Sequence, residues 1–277
     1  MGQNTDIVIT HYNESLDWLN DFHNDNVRHI WVYSKGSEIL YGHHLNAKII
    51  NLYYPNYGGD SLVHLNHVVR HYDNMPENII FMQSNLNPHI RVNDEWCNTT
   101  CNKTKTNEFV EWMQTNEYTN NYQLTEIWDC LSLSGNDGGC HKWFSTGTCE
   151  NLHECLNENN NPNCKVKLKG KIEIDKYMNK LVKADLQLYE WTRQRFDLNV
   201  QLYPPYCKVP IFWGNIIGLK SKHIIRRAKS VYENVIQKDF TFDGVNIHTE
   251  YNHYYERILY FAYNLHEVDN HKFSVVR

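Results

Sequence analysis

The sequence has no run of about 18 apolar residues, the length a membrane-crossing helix needs. Its first residues, Met1-Gly2-Gln3-Asn4-Thr5-Asp6, carry neither a basic nor an apolar stretch, which argues against a secretory signal. Basic charge is also short: 27 Lys and Arg stand against 32 Asp and Glu, a formal charge of −5. A general nucleic-acid binder carries a basic surplus, so that class is disfavoured. There is no G-x-G-x-x-G and no G-x-x-x-x-G-K-[ST], which leaves neither a Rossmann dinucleotide site nor a P-loop supported. No segment repeats at a solenoid-like period. What remains is a globular composition, 41% hydrophobic over 277 residues, enough for one large domain or two small ones. Asn and the 19 Tyr are over-used; with Ile and Lys rising beside them, codon drift in an AT-rich genome explains this without function.

Local patterns in the first 90 residues alternate between strand and helix. Asp6–Thr10, His29–Tyr33, Lys48–Leu52 and Asn78–Met82 are apolar runs of strand length. After the first, Asn13 is placed to cap a helix carrying Leu16, Trp18, Leu19 and Phe22. After the Pro55–Gly59 turn, Asp60 or Ser61 caps a helix whose buried face uses Leu62, Leu65, Val68 and Val69. Strands separated by helices predict an α/β fold, a mostly parallel sheet flanked by helices, with ligands at the C-terminal strand ends. Between residues 96 and 170 the pattern gives way to a polar, Asn- and Cys-rich stretch with one helix near Glu108–Gln114. It reads as an insertion within a single domain spanning 1–277. Helices are expected again over Asp175–Arg195, Ser221–Gln237 and Glu250–Leu265, with a buried strand and turn over Val209–Gly214.

Polar residues cluster where such a sheet binds ligands. His11, Tyr12, Asn13, Glu14, Lys35, Asp60, Gln83 and Asn85 all fall at expected strand ends, although His11–Glu14 alone also reads as a turn with a helix cap. Lys220, Lys222, Arg226, Arg227 and Lys229 form a basic run beside a possible helix start at Ser221, suited to a diphosphate or simply to a solvated face. On the helix near 250–265, Tyr255, Ile258, Leu259, Ala262 and Leu265 form one stripe. His253, Glu256, Tyr260 and Tyr263 form the other.

These segments carry a resemblance. Ile7-Val8-Ile9-Thr10-His11-Tyr12-Asn13-Glu14, Trp18-Leu19 and Val32-Tyr33-Ser34-Lys35-Gly36 come first. Asn56-Tyr57-Gly58-Gly59-Asp60, His71-Tyr72-Asp73-Asn74-Met75-Pro76 and Ile79-Ile80-Phe81-Met82-Gln83 come next, in that order. The set resembles a group of glycosyltransferase-like proteins found in eukaryotes, bacteria and large DNA viruses. Trp213–Ser221 and His253-Tyr254-Tyr255-Glu256-Arg257 are similar to the acceptor-side half of nucleotide-sugar transferases of the GT-A type. The resemblance covers roughly 6–90 and 205–265. It departs from the family at Gly59-Asp60, where Arg-Glu is usual; a basic substrate contact is lost and the acid is kept.

The resemblance implies a GT-A-like (Rossmann-like) fold and transfer of a sugar from a nucleotide-sugar donor to a hydroxyl of a glycan or glycoprotein acceptor. It implies donor contacts from His11, Tyr12, Asn13, Glu14, Lys35, Asp60, Gln83 and Asn85. Glu256 is the expected catalytic base, with Asp243 and Glu250 in reserve, and inversion is the simpler outcome. Many GT-A enzymes hold Mn²⁺ or Mg²⁺ with Asp-x-Asp, but Gln83-Ser84-Asn85-Leu86-Asn87 stands there, so no protein metal ligand is expected and a dication stays only a possible cofactor. The basic residues Arg226, Arg227 and Lys229 are the expected substitute for the diphosphate. No nucleic-acid partner and no transmembrane segment are expected, and the location would be soluble, cytoplasmic or virion-associated. The alternative is a non-catalytic carbohydrate-binding or virion-structural protein on the same fold.

Seven of the eight cysteines lie between Cys97 and Cys164. Cys140, Cys149, Cys155 and Cys164 have the spacing C-x8-C-x5-C-x8-C, the start of a CCCH finger, but Asn159 stands where its His belongs. His141, His153 and Cys164 could complete a zinc site, and RNA binding through it is a weaker third function. Disulfides in an oxidising compartment or virion are the preferred reading, with zinc and free thiols as the alternatives. The sequons at Asn98 and Asn102 lean the same way but carry little weight without a secretory signal.

Overall fold

The structure is a computed structural model. It describes residues 3–36, 40, 47–52, 59–86, 91–92, 95–96, 99–119, 127–129, 188–200, 208–210, 212, 215–242, 245–246, 251–265, 268 and 275–276. The cysteines from Cys130 onward, the zinc candidates His141 and His153, and the reserve acids Asp243 and Glu250 lie outside the described residues.

Five strands form the central sheet: β1 (Thr5–His11), β2 (Val27–Ser34), β3 (Lys48–Asn51), β4 (Asn78–Gln83) and β5 (Ile217–Lys220), in the order β5-β4-β1-β2-β3. The first four are parallel, and β5 runs antiparallel beside β4. All seven residues of β1 are buried, as a central parallel strand covered on both faces requires. Its alternation divides the core. Val8 joins Tyr33, Phe81 and Leu219 under helices α1 (Gly59–His71), α5 (Lys229–Asp239) and α6 (Tyr251–Ala262). Ile7 and Ile9 face the other way, with Val32, Ile80 and Met82, onto α2 (Thr99–Thr115) through Phe109, Val110 and Met113. The result is the α/β three-layer arrangement expected. Among the described residues no helix is long and apolar enough to cross a membrane.

Several expectations change. The segment after β1 makes only a 3-10 turn over Asp17–Leu19, yet Leu16, Trp18, Leu19 and Phe22 are still buried. The burial pattern was readable, the helix was not. Residues 99–119, expected inside the insertion, belong to the domain body, since α2 covers one face of the sheet and Tyr118 bridges to Leu219. Asn102 is buried, accepting the Leu86 N–H at 3.1 Å and donating to the Ser84 carbonyl at 3.3 Å, so a glycan there is incompatible with the packing. Of the helix expected over Asp175–Arg195, the described part is α3 (Leu188–Phe196). Ser221–Gln237 is two helices, α4 (Ser221–Ile225) and α5, separated where Ala228 adopts an extended conformation. Both sides of α6 are buried: Tyr260 and Tyr263, expected on a sugar-facing side, are fully enclosed, and the Tyr255 hydroxyl donates to that of Tyr263 at 2.8 Å.

Candidate functional site

Chain order reverses between β1 and β4: β2 and β3 build outward on one side of β1, β4 and β5 on the other. In open α/β sheets the crevice at the C-terminal ends of such a switch point is where ligands bind. His11, Tyr12, Asn13 and Glu14 leave β1 there, and Gln83, Ser84 and Asn85 leave β4.

The first loop is tied to its neighbours. His11 Nδ1 lies 2.9 Å from Ser34 Oγ at the end of β2, and its Nε2 lies 2.9 Å from the Glu14 carbonyl. Glu14 Oε2 accepts the N–H groups of Tyr12 and Asn13 and, across the switch point, the Ser84 hydroxyl at 2.8 Å. Partial burial pushes this carboxyl up, but those hydrogen bonds together outweigh it and leave the group below its ordinary value. Gly36 is required beside this loop, because a Cβ there would fall 1.8 Å from the Tyr12 carbonyl oxygen. Tyr12 itself is 43% exposed at the mouth.

Behind the loop lies a charged pair. Lys35, 2% exposed, comes directly after β2 and donates from Nζ to the Gly59 carbonyl. Burial brings its ammonium down to about 8, opposed by the charge of Asp60. Asp60, in the first turn of α1, accepts Gln83 Nε2 at 2.6 Å. Burial pushes Asp60 up to about 6; Lys35 and Gln83 resist, while Glu256 and Glu14 add to the rise. Glu256, 8% exposed on α6, is thus close enough for its charge to act on Asp60. The structure therefore brings Glu14, Lys35, Asp60, Gln83 and Glu256 together, with His11 and Ser84 bracing them. Asn85 stands next on the β4 side, half-buried.

The basic run is elsewhere. Lys220 pairs with Asn78, the first residue of β4, so antiparallel β5 delivers the chain to the N-terminal end of the parallel strands. The Tyr72 hydroxyl, just past the C-terminal end of α1, donates to the Ile225 and Arg227 carbonyls there. Arg226, Arg227 and Lys229 are therefore about one strand length, roughly 17 Å, from the crevice. This corrects their expected role as a diphosphate clamp. Arg227 instead closes the end of α6, donating to the Ala262 carbonyl at 3.0 Å, to Asn264 Oδ1 at 2.8 Å and to the Phe196 carbonyl. Lys229 faces Asp73 at 3.9 Å. A cavity of about 550 Å³ opens at this far end, but its Lys220 is paired with Glu77 at 2.9 Å and its Lys222 with Glu117 at 2.7 Å. Arg227→Ala is expected to cost about 2–3 kcal/mol in urea unfolding, because several charge-assisted hydrogen bonds are lost at once, with ligand affinity at the crevice unchanged. A clamp would show the reverse.

Sequence reasoning took Ser61 only as a candidate helix cap, whereas it lies inside α1, and missed His64 and Asn252. His64 is buried and stacks on Phe81 with ring centres 4.2 Å apart. Asn252 meets the first turn of α1 across 191 positions of sequence, a pairing no local pattern reveals. As for a dication, no three His, Cys, Asp or Glu among the described residues converge as metal ligands. No protein-family model, no curated protein and no solved structure matches this chain.

Proposed function

We propose that this crevice binds a nucleotide-sugar donor and that the chain transfers the sugar to a hydroxyl of a glycan or glycoprotein acceptor. The observation that carries the reading is the convergence of Glu14, Lys35, Asp60 and Gln83 at the C-terminal strand ends with Glu256 from the last third of the chain. Carboxylates and an amide in one crevice suit sugar hydroxyls, each of which donates and accepts. The exposed ring of Tyr12 offers a face on which a base or sugar stacks. Glu256 takes the proton of the acceptor hydroxyl as its oxygen bonds to the anomeric carbon. The nucleoside diphosphate leaves with the electron pair of the broken bond, and this single displacement inverts the anomeric centre. Lys35 supplies positive charge at this end of the sheet.

A second reading has its own support. The charges of Glu256, Glu14 and Lys35 all act on Asp60, so three carboxylates share this end of the sheet with one ammonium while the basic run is a strand length away, a balance that suits a neutral glycan better than a diphosphate. That favours a carbohydrate-binding protein without turnover. Calorimetric titration with UDP-, GDP-, CMP- and dTDP-sugars, alongside free glycans and with EDTA or Mn²⁺, separates the two. Binding of one nucleotide with slow sugar release supports the transferase; binding of free glycans alone replaces it with the lectin-like reading.

A further inference from the structure

Helix α1 begins with Gly59 at φ +51°, a conformation that favours glycine, and its first N–H groups have no partner within the helix. The partner comes from α6. Asn252 Oδ1 accepts the Ser61 N–H at 3.3 Å, and the Asn252 carbonyl accepts the Ser61 hydroxyl at 2.9 Å. The fit is close, since a Cβ on Gly59 would lie 2.4 Å from Asn252 Oδ1. Ser61 is fully buried and Asn252 nearly so. Ser61 adjoins Asp60. Asn252 lies one helical turn before Glu256, and residues four apart share a helix face. One junction thus joins the residues next to both carboxylates.

We propose that Asn252 is a positioning residue of this site: docked on Gly59 and Ser61, it fixes α6 against the first turn of α1 and so sets Glu256 against Asp60. The role of Glu256 as base rests on the function proposed above; the placement of its charge does not. Four groups act on the Asp60 carboxyl: Lys35 and Gln83 from the strand ends, Glu14 from the β1 loop, and Glu256 from α6. Only the last is carried by α6, the helix that the junction holds.

The test is a carboxyl-resolved NMR titration of Asp60 in the wild type, Glu256→Gln, Asn252→Ala and Ser61→Ala, with turnover measured in parallel. Glu256→Gln is expected to move the Asp60 titration from about 6 toward its ordinary value, because a neighbouring negative charge is gone. Asn252→Ala is expected to shift it the same way, and to lower kcat by about 10- to 100-fold with the donor KM unchanged, as small misplacements of a catalytic group do. If Asn252→Ala does not fold, Ser61→Ala, which removes one bond and keeps the amide cap, is expected to give a smaller shift in the same direction. The proposal is overturned if Glu256→Gln moves Asp60 while the folded junction variants titrate as wild type, or if Glu256→Gln does not move it. Absence of turnover in the wild type would sink the transferase reading alone, since the titration still decides the junction.

Discussion

Lowering the pH from 7 to 5 is expected to remove folding stability, about 2 kcal/mol of it through His64 alone, a sizeable share of the roughly 5–15 kcal/mol of an ordinary domain. The cause is a pair of imidazoles between α1 and the sheet. His64 stacks on Phe81, and its Nδ1 finds no hydrogen-bond partner among the described residues. His67 Nδ1 lies 2.8 Å from the Tyr33 hydroxyl, and its Nε2 finds no hydrogen-bond partner among the described residues. Burial, and then the charge of Lys35, push His64 down to about 3. Burial, and after it His71, His64, Arg70 and Arg28, hold His67 well below its ordinary value. In the unfolded chain both rings take up protons below about 6.5, whereas the folded protein resists. Stability is therefore complete above that pH and declines as pH falls, by about 1.4 kcal/mol per unit through His64, or about 2 kcal/mol at pH 5, with a further loss of the same sign through His67. Asp60 works in the opposite sense. Its folded carboxyl, raised to about 6, holds a proton that the unfolded chain releases, which returns about 1 kcal/mol between pH 6 and 5. Urea midpoints at pH 7, 6 and 5 check the sum, and His64→Leu should flatten the slope by one proton. A stability curve level over this range contradicts the burial of these rings.

Glu256→Gln is expected to lower sugar transfer by about 10²- to 10⁴-fold, the usual contribution of a general base. Donor affinity should stay within about threefold, because the amide keeps the shape and loses only the proton acceptor that the transition state needs. Thermal stability should hold or rise, since the charge removed is one that opposes ionisation of Asp60. Stopped-assay turnover and calorimetric affinity on the same preparation separate the effects. Equal loss of affinity and turnover would make Glu256 a binding residue. Unchanged turnover would move the base elsewhere.

The parallel part of the fold and the polar residues at its C-terminal strand ends were legible because both are local. Each strand of β1 to β4 is a short apolar run, and the residue after a parallel strand must emerge at the ligand-binding end. Lys35, Asp60 and Gln83 were therefore identifiable before their contacts were known. The basic run at Arg226, Arg227 and Lys229 was misplaced because its position depends on the direction of β5. Ile217–Lys220 reads the same whether it pairs parallel or antiparallel with β4, and the antiparallel choice sends the residues after Lys220 to the far end. The polar side of α6 misled for a related reason. Tyrosine is amphipathic, and the Tyr255–Tyr263 hydroxyl pair shows how a stripe that reads as wet is satisfied in the core. Asn252 and Ser61 carry no motif, and their meeting is a property of packing.

The most direct test is amide hydrogen exchange with and without a saturating nucleotide-sugar identified by calorimetry. A ligand in the switch-point crevice should protect residues 11–14, 59–61 and 83–85, and leave 220–229 as in the free protein. Protection confined to 220–229, or no protection at the strand ends with any nucleotide-sugar, would contradict the placement of the site and with it the proposed activity.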